Sequence, residues 1–412
     1  MSGKLLSLMM TILMMTSALA GCAGDDVDLD TEDGGYEYAS NVDNHRMLMG
    51  DVCDIKDLSG AYDWAGVKDI YSNGEHAEKS DGSYRTLEGF ASASGKNHAY
   101  DSYYGADGSW DVFVSAAIDG TGAFAGESDT VRDQAVEKGI QNGVMTAYAI
   151  HELNAAIIKA EAGNWGTNDA QHAWDEGWAF YHGPDDSNHD YDGCGPYATA
   201  NKRAGNFGTA NSDGTAATNV ATLAAMNAGL AAMQAEDMQG LVEARDEVLK
   251  NIVIVYSQAS VRYASKMTDD LADGDTNDYD KHQAEGHAFY RVIEAYVAEH
   301  TSICYNMVSH NVSSDSSQDS CEGYAWYENH SMGGQTYTGC YNIVSHQTTD
   351  DDQPTCEAYG WNANYYSDKI VAMFDLTNNG DASADYEADI RAWLQPAWDH
   401  YGITATDIGT LQ

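Results

Sequence analysis

The chain is poor in positive charge. Its 412 residues carry 20 Lys plus Arg against 65 Asp plus Glu, a formal charge of −45 at pH 7. A phosphate backbone would be repelled, so nucleic acid is excluded as a partner. There is no phosphate-cradling glycine loop, no G-x-S-x-G elbow and no Ser-His-Asp set, which argues against enzymes built on those motifs. Beyond the first residues, no stretch reaches the ~20 apolar residues of a transmembrane helix. No C-x-x-C spacing supports a thiolate metal site. The acidity is spread along the whole chain, as in a salt-adapted surface protein kept soluble by its charge; a cation-attracting field is the sharper reading.

What is present begins with export. Lys4 supplies a positive start and Leu5 to Met15 an apolar run too short to span as a membrane helix. Leu19-Ala20-Gly21-Cys22 has the pattern of a prokaryotic lipobox, which predicts a signal peptide over 1–21 and a lipid on Cys22. Ala18-Leu19-Ala20 also satisfies an ordinary cleavage site, which would release a secreted protein. Residues 22–45, rich in Asp and Gly, read as an acidic tether with nothing to bury. One helical domain is expected over 46–412.

Setting Cys22 aside leaves Cys53, Cys194, Cys304, Cys321, Cys340 and Cys356, an even six in an exported chain and so three disulfides. CYNMVSH at Cys304 recurs as CYNIVSH at Cys340, each followed by a polar loop and a second cysteine. That repeat, over 301–366, favours Cys304–Cys321 and Cys340–Cys356, leaving Cys53–Cys194. His310 and His346 recur with it, as a surface metal clamp or as turn residues. Aromatic clusters at Tyr324 to Tyr327 and Tyr359 to Trp361 would stack sugars or pack over the bridges.

The organising pattern is a pair of segments, HAWDEGWAFYHG from His172 and HQAEGHAFYRVI from His282. They share EG-x-AFY, so Glu176, Gly177, Phe180 and Tyr181 correspond to Glu285, Gly286, Phe289 and Tyr290. This predicts an internal duplication of one helical hairpin, about 131–183 and 240–296, in a mainly α bundle with disulfide-tied loops. His282, Glu285, Phe289, Val292 and Tyr296 fall on one helical stripe, as do His172, Glu176 and Phe180. A His and a Glu thus occupy core-facing positions, where a carboxylate is costly unless paired or metal-bound. An earlier helix, from about Ser128 to Ala162, places His151 on its apolar stripe with Glu152 beside it. The candidate metal ligands are His151, Glu152, His172, Glu176, His282 and Glu285. Such a mixed set suits iron, manganese or zinc. Hydrogen bonds from backbone, Tyr or Trp would satisfy the same carboxylates without an ion. If imidazoles are ligands, affinity should fall from about pH 7.5 to 5.5.

Elsewhere, residues 57 to 126 read as loops and short pieces, and 185 to 215 as a polar insertion. Asp169 is placed to cap the first motif helix. DGDTND, Asp273 to Asp278, resembles a calcium loop start but lacks the closing Glu, and serves as well as a plain turn.

IYSNGEHAEKSDGSYRTLEGFA from Ile70, AIHELNAAIIKA from Ala149, WDEGWAFY from Trp174, HQAEGHAFYRVIEAY from His282 and YGITATDIGTL from Tyr401 occur in order. Together they resemble the algal iron-assimilating, or low-iron-inducible periplasmic, protein family, over about Asp51 to Leu411. The resemblance implies an exported helical protein that helps a cell capture iron, with iron as cargo and a membrane iron transporter as partner. A ferroxidase-like metal-dependent oxidase and a metal-free cell-surface protein are the other classes the same residues allow.

Overall fold

The computed structural model describes residues 32–96, 98–185, 194–332 and 335–412. The signal peptide, Cys22 and the first part of the expected tether lie outside them. The fold is mainly helical, with three small sheets. Among the described residues no helix is long and apolar enough to cross a membrane.

Two antiparallel hairpins form the centre. In the first, α8 (Met145–Glu161) packs on α9 (Ala170–His182); in the second, α12 (Met238–Asp273) packs on α13 (Thr276–Val297). The helix read over 128–162 is one run, α7 (Asp129–Lys138), a π segment at Gly139–Val144, then α8. The wide π turn brings Gly143 against Trp110, whose ring carbons lie where a Cβ would stand, at 2.3 Å. Trp110 belongs to α6 (Ser109–Asp119).

The repeated EG pair has a packing reason. A Cβ on Gly177 would meet Leu153 at 2.7 Å, and one on Gly286 would meet the Phe374 ring at 2.1 Å. Each glycine lets its helix approach a neighbour closely. Tyr181 and Tyr290 are buried, and their hydroxyls donate to Asn219 and Ser367 at 2.6 and 2.7 Å.

Several local readings change. The stretch expected to be a tether is built structure from Glu32 onwards. A two-strand turn, β1 (Glu32–Asp33) and β2 (Tyr36–Glu37), leads to the short α1 (Asp43–Arg46). Tyr36, Tyr38 and Val42 enter the core, and the fully buried Asp33 is held by Arg46 through two hydrogen bonds. Its acidic composition concealed those apolar anchors. Residues 57 to 126 contain α3 (Trp64–Asn73) and α6, besides α2 (Leu48–Gly60), α4 (Leu87–Ala91) and α5 (Ala99–Tyr104). The glycines and aspartates there mark helix ends. The polar insertion holds α10 (Gly195–Phe207), whose Ala200, Ala204 and Phe207 are buried. Asp169 precedes α9, but its side chain makes no capping bond. The DGDTND stretch is a plain turn, with Asp275 capping α13 through the amides of Asn277 and Asp278.

The bridges are Cys53–Cys194, Cys304–Cys321 and Cys340–Cys356. The two CYN blocks form an interlocked pair. The first CYN strand, β3 (Ile303–Asn306), pairs with β8 (Tyr359–Asn362) from the second repeat. The second, in β6 (Gln335–Asn342), pairs with β5 (Tyr324–Met332) from the first. Tyr324 and Tyr359 occupy equivalent places and stack at 4.3 Å. Trp326 and Trp361 stand opposite Cys340 and Cys304 in register. His310 and His346 sit at φ 58° and 57°, each bonded to the Tyr five residues before it, a turn role.

Gly286→Ala tests the close packing. Helix propensity alone would stabilise by ~1 kcal/mol. Overpacking against buried Phe374 should reverse that and lower unfolding stability by about 1–2 kcal/mol. Urea denaturation reads the difference, and a stabilised variant would show that the Phe374 ring simply moves aside.

Candidate metal centre

The segment before α1 lies across α9 and brings polar groups to it. Asp175, fully buried, accepts four hydrogen bonds: from the amides of Ala39 and Ser40, the Ser40 hydroxyl and the Tyr36 hydroxyl, at 2.7 to 3.0 Å. Ser40 Oγ also lies 2.9 Å from His172 Nδ1. The hydroxyl has one proton, and Asp175 Oδ2 receives it at 2.7 Å. The imidazole therefore donates at Nδ1, and this fixes its tautomer. His172 Nε2 then presents a lone pair to Glu176 Oε1 across 3.1 Å. Two lone pairs at that distance repel unless a proton or a metal cation lies between them. His45 Nε2 stands 3.2 Å from the same oxygen, and its buried Nδ1 has no hydrogen-bond partner.

Glu152, from α8, shares a hydrogen bond with Glu176. Burial raises the Glu152 carboxyl, and the charge and hydrogen bond of Glu176 raise it further, to about 8. Burial would also raise Glu176, but the hydrogen bond from His172, the charges of His45 and His172, and the Glu152 hydrogen bond outweigh it and hold it low. Burial keeps His45 neutral, down at about 4. Its charge therefore aids Glu176 only in acid, while the Glu152 hydrogen bond acts at neutral pH. The pair thus carries one proton, on Glu152, and one negative charge. His151 Nε2 lies 3.8 Å from Glu152 and is likewise pushed down to about 4 by burial. A pocket of about 440 Å³ opens over these groups, with His45, Glu152 and Glu176 in its wall.

Of the six residues singled out from sequence, His151, Glu152, His172 and Glu176 surround this pair. The other two do not join it. His282 Nδ1 is bonded to Asp270 at 2.6 Å. Burial raises the Glu285 carboxyl, opposed by the Lys138 ammonium and a Tyr263 hydrogen bond. Glu285 thus lies beside a phenol and an ammonium group, apart from the Glu152–Glu176 pair. Sequence reasoning missed His45, Ser40 and Asp175. Asp175 stood inside the quoted WDEGWAFY; His45 and Ser40 lay in the presumed tether, where Tyr36, Tyr38 and Val42 were the overlooked signal. Among the described residues, three His, Cys, Asp or Glu ligand atoms gather within 4.8 Å of one another at Asp54, Glu75 and His76, a partly exposed group. Around Glu176 the two imidazoles instead flank a central oxygen, so an ion held there draws His172, a third exposed, inward.

A metal cation bound by both carboxylates must displace the proton on Glu152. A raised acid keeps its proton until pH passes the raised value, so affinity should climb from about pH 6 to about pH 9. The window of about pH 7.5 to 5.5 expected of imidazoles does not apply to His45 and His151, which burial pushes down to about 4. Calorimetry in buffers of different ionisation enthalpy should count about one proton released per ion near pH 7. An affinity flat from pH 6.5 to 9 would contradict the shared proton.

Comparison with known proteins agrees with the elements that build this centre. A family model described as low iron-inducible periplasmic protein matches residues 8–301. That span holds both hairpins and every residue of the Glu176 cluster, and stops before the cysteine repeats. No curated protein and no solved structure matches the chain. With well over half its length matched, the chain belongs to the low iron-inducible periplasmic protein family.

Proposed function

We propose that this is an exported iron-binding protein that assists iron acquisition, with iron held as cargo at Glu176, Glu152 and His172. The observation that carries the reading is the locked tautomer of His172, whose free lone pair faces Glu176 Oε1 at 3.1 Å. Metal-binding histidines characteristically donate their other ring nitrogen to an oriented acceptor, as His172 does to Ser40. Imidazole with carboxylate oxygen suits iron among the metals a cell takes up. The family description, low iron-inducible and periplasmic, fits a protein made when iron is scarce and working outside the cytoplasm. The export signal at 1–21 and a lipid on Cys22 would keep it at the membrane, beside a transporter that receives the iron.

The two motif glutamates should separate. Glu176→Ala should abolish tight iron binding with helix content retained. Glu285→Ala should leave iron affinity within about threefold and instead lower stability, since it removes the Tyr263 hydrogen bond and one of the two carboxylates beside Lys138, which keeps its ion pair with Glu137. Ser40→Ala removes no ligand but frees the His172 ring, and should weaken iron about 10–100-fold, the usual cost of losing a group that orients a ligand. Calorimetric iron titration with circular dichroism reads all three. Equal loss in the Glu176 and Glu285 variants would overturn the placement of the site.

A further inference from the structure

The pocket over Glu176 is lined by cations. Lys79, Arg85 and Lys96 stand in its wall with Tyr84 and Thr86. The whole chain has 20 Lys plus Arg against 65 acidic residues, so three cations around one opening run against the composition. Acidic partners are abundant, yet none of the three forms an ion pair with a described carboxylate. Arg85 is half-buried and its Nε donates to Asn44 Oδ1 at 2.6 Å, a neutral acceptor, and the opposite charges it feels are those of Glu176 and Glu152 in the same pocket. The loop carrying Lys79 and Arg85 is fixed: Glu78 bridges to Tyr84, and the Arg85 amide donates to the Ala77 carbonyl at 2.9 Å. The cations are therefore held at the opening.

We propose that this pocket takes its iron as an anionic carboxylate chelate, with the metal toward Glu176 and the chelator's carboxylates against Lys79, Arg85 and Lys96. The inference rests on the iron site proposed above and deepens it. A bare cation entering would meet three positive groups before it reached Glu152 and Glu176. A chelate presents carboxylates to those groups, which they bind through charge-assisted hydrogen bonds. The size agrees. About 440 Å³ is within the usual ~300–1,000 Å³ of small-ligand pockets and far above the ~30 Å³ share of a water-sized species. The net charge of −45 does not bar an anion at contact range, because physiological salt screens distant charges beyond ~8 Å.

The test is titration of the exported chain with three probes: ferric citrate, citrate alone, and ferrous ion under argon. It compares wild type with Lys79→Gln/Lys96→Gln, two changes that leave the core untouched. Ferric citrate should bind the double variant at least tenfold more weakly, while ferrous ion, freed from repulsion, should bind it more tightly. Arg85→Lys keeps the charge but loses the two-pronged donor, and should weaken ferric citrate less than Arg85→Gln. Unchanged ferric citrate affinity in the double variant overturns the proposal, even if Glu176→Ala abolishes ferrous binding and so leaves the iron site standing. Citrate alone binding as tightly as ferric citrate also overturns it, since the metal would then contribute nothing. If wild-type ferrous binding is unaffected by Glu176→Ala, the iron site itself fails. Loss of ferric citrate affinity confined to the lysine variant, with Glu176→Ala harmless, would overturn both.

Discussion

One buried contact organises the centre of this protein: two glutamates from facing helices of one hairpin, close enough to share a proton. A second ionised carboxylate there would repel the first at short range, and burial makes that costly. The solution is to keep Glu152 protonated and surround Glu176 with imidazole. Those imidazoles must in turn be held. The segment of residues 32–46 does this, by burying Asp33 against Arg46, seating Tyr36 and Ser40 on Asp175 and delivering His45. The Trp178 indole donates to the Asp33 carbonyl at 2.9 Å and ties the same segment to α9. Residues 32–46 are thus part of the site's wall.

The two EG-x-AFY segments give the clearest contrast between packing and chemistry. Both copies keep the glycine that admits a neighbour and the aromatic pair that follows. Both also keep a buried glutamate, but its surroundings diverge. Facing Glu176 is a second carboxylic acid; facing Glu285 are Tyr263 and, from α7, Lys138. The pattern EG-x-AFY therefore records a shared packing solution. The elements packed against each helix set the surroundings of its carboxylate.

This also explains how far the sequence could be read. The hairpins were legible because their apolar positions repeat at helical spacing over many turns. The cysteine pairs were legible because CYN-x-VSH repeats as a block. His151, Glu152, His172 and Glu176 lay on stripes that periodicity assigns to the interior, and they do meet. His45 and Ser40 were not legible, because their neighbours in sequence are acidic and glycine-rich and their partners lie more than 130 residues away. Short helices such as α3 and α6 were hidden for a related reason. Each is only ten or eleven residues long, with its glycines and aspartates at its ends, so turn signals outweighed a brief apolar stripe.

The strong acidity and the cationic pocket belong in one account. Charge spread over the surface sets solubility and long-range attraction, but its reach is about one screening length. A binding site is decided at shorter range, where desolvation amplifies each charge. At Glu176 the local groups include three cations and the neutral His45, a balance opposite in sign to the molecule as a whole. The net charge of −45 would by itself suggest a protein that gathers bare cations at its surface. The pocket reverses that inference at Glu176. An acidic exterior then repels neighbouring copies and acidic polymers, while the wall of the pocket selects its occupant by a charge pattern that the composition alone conceals.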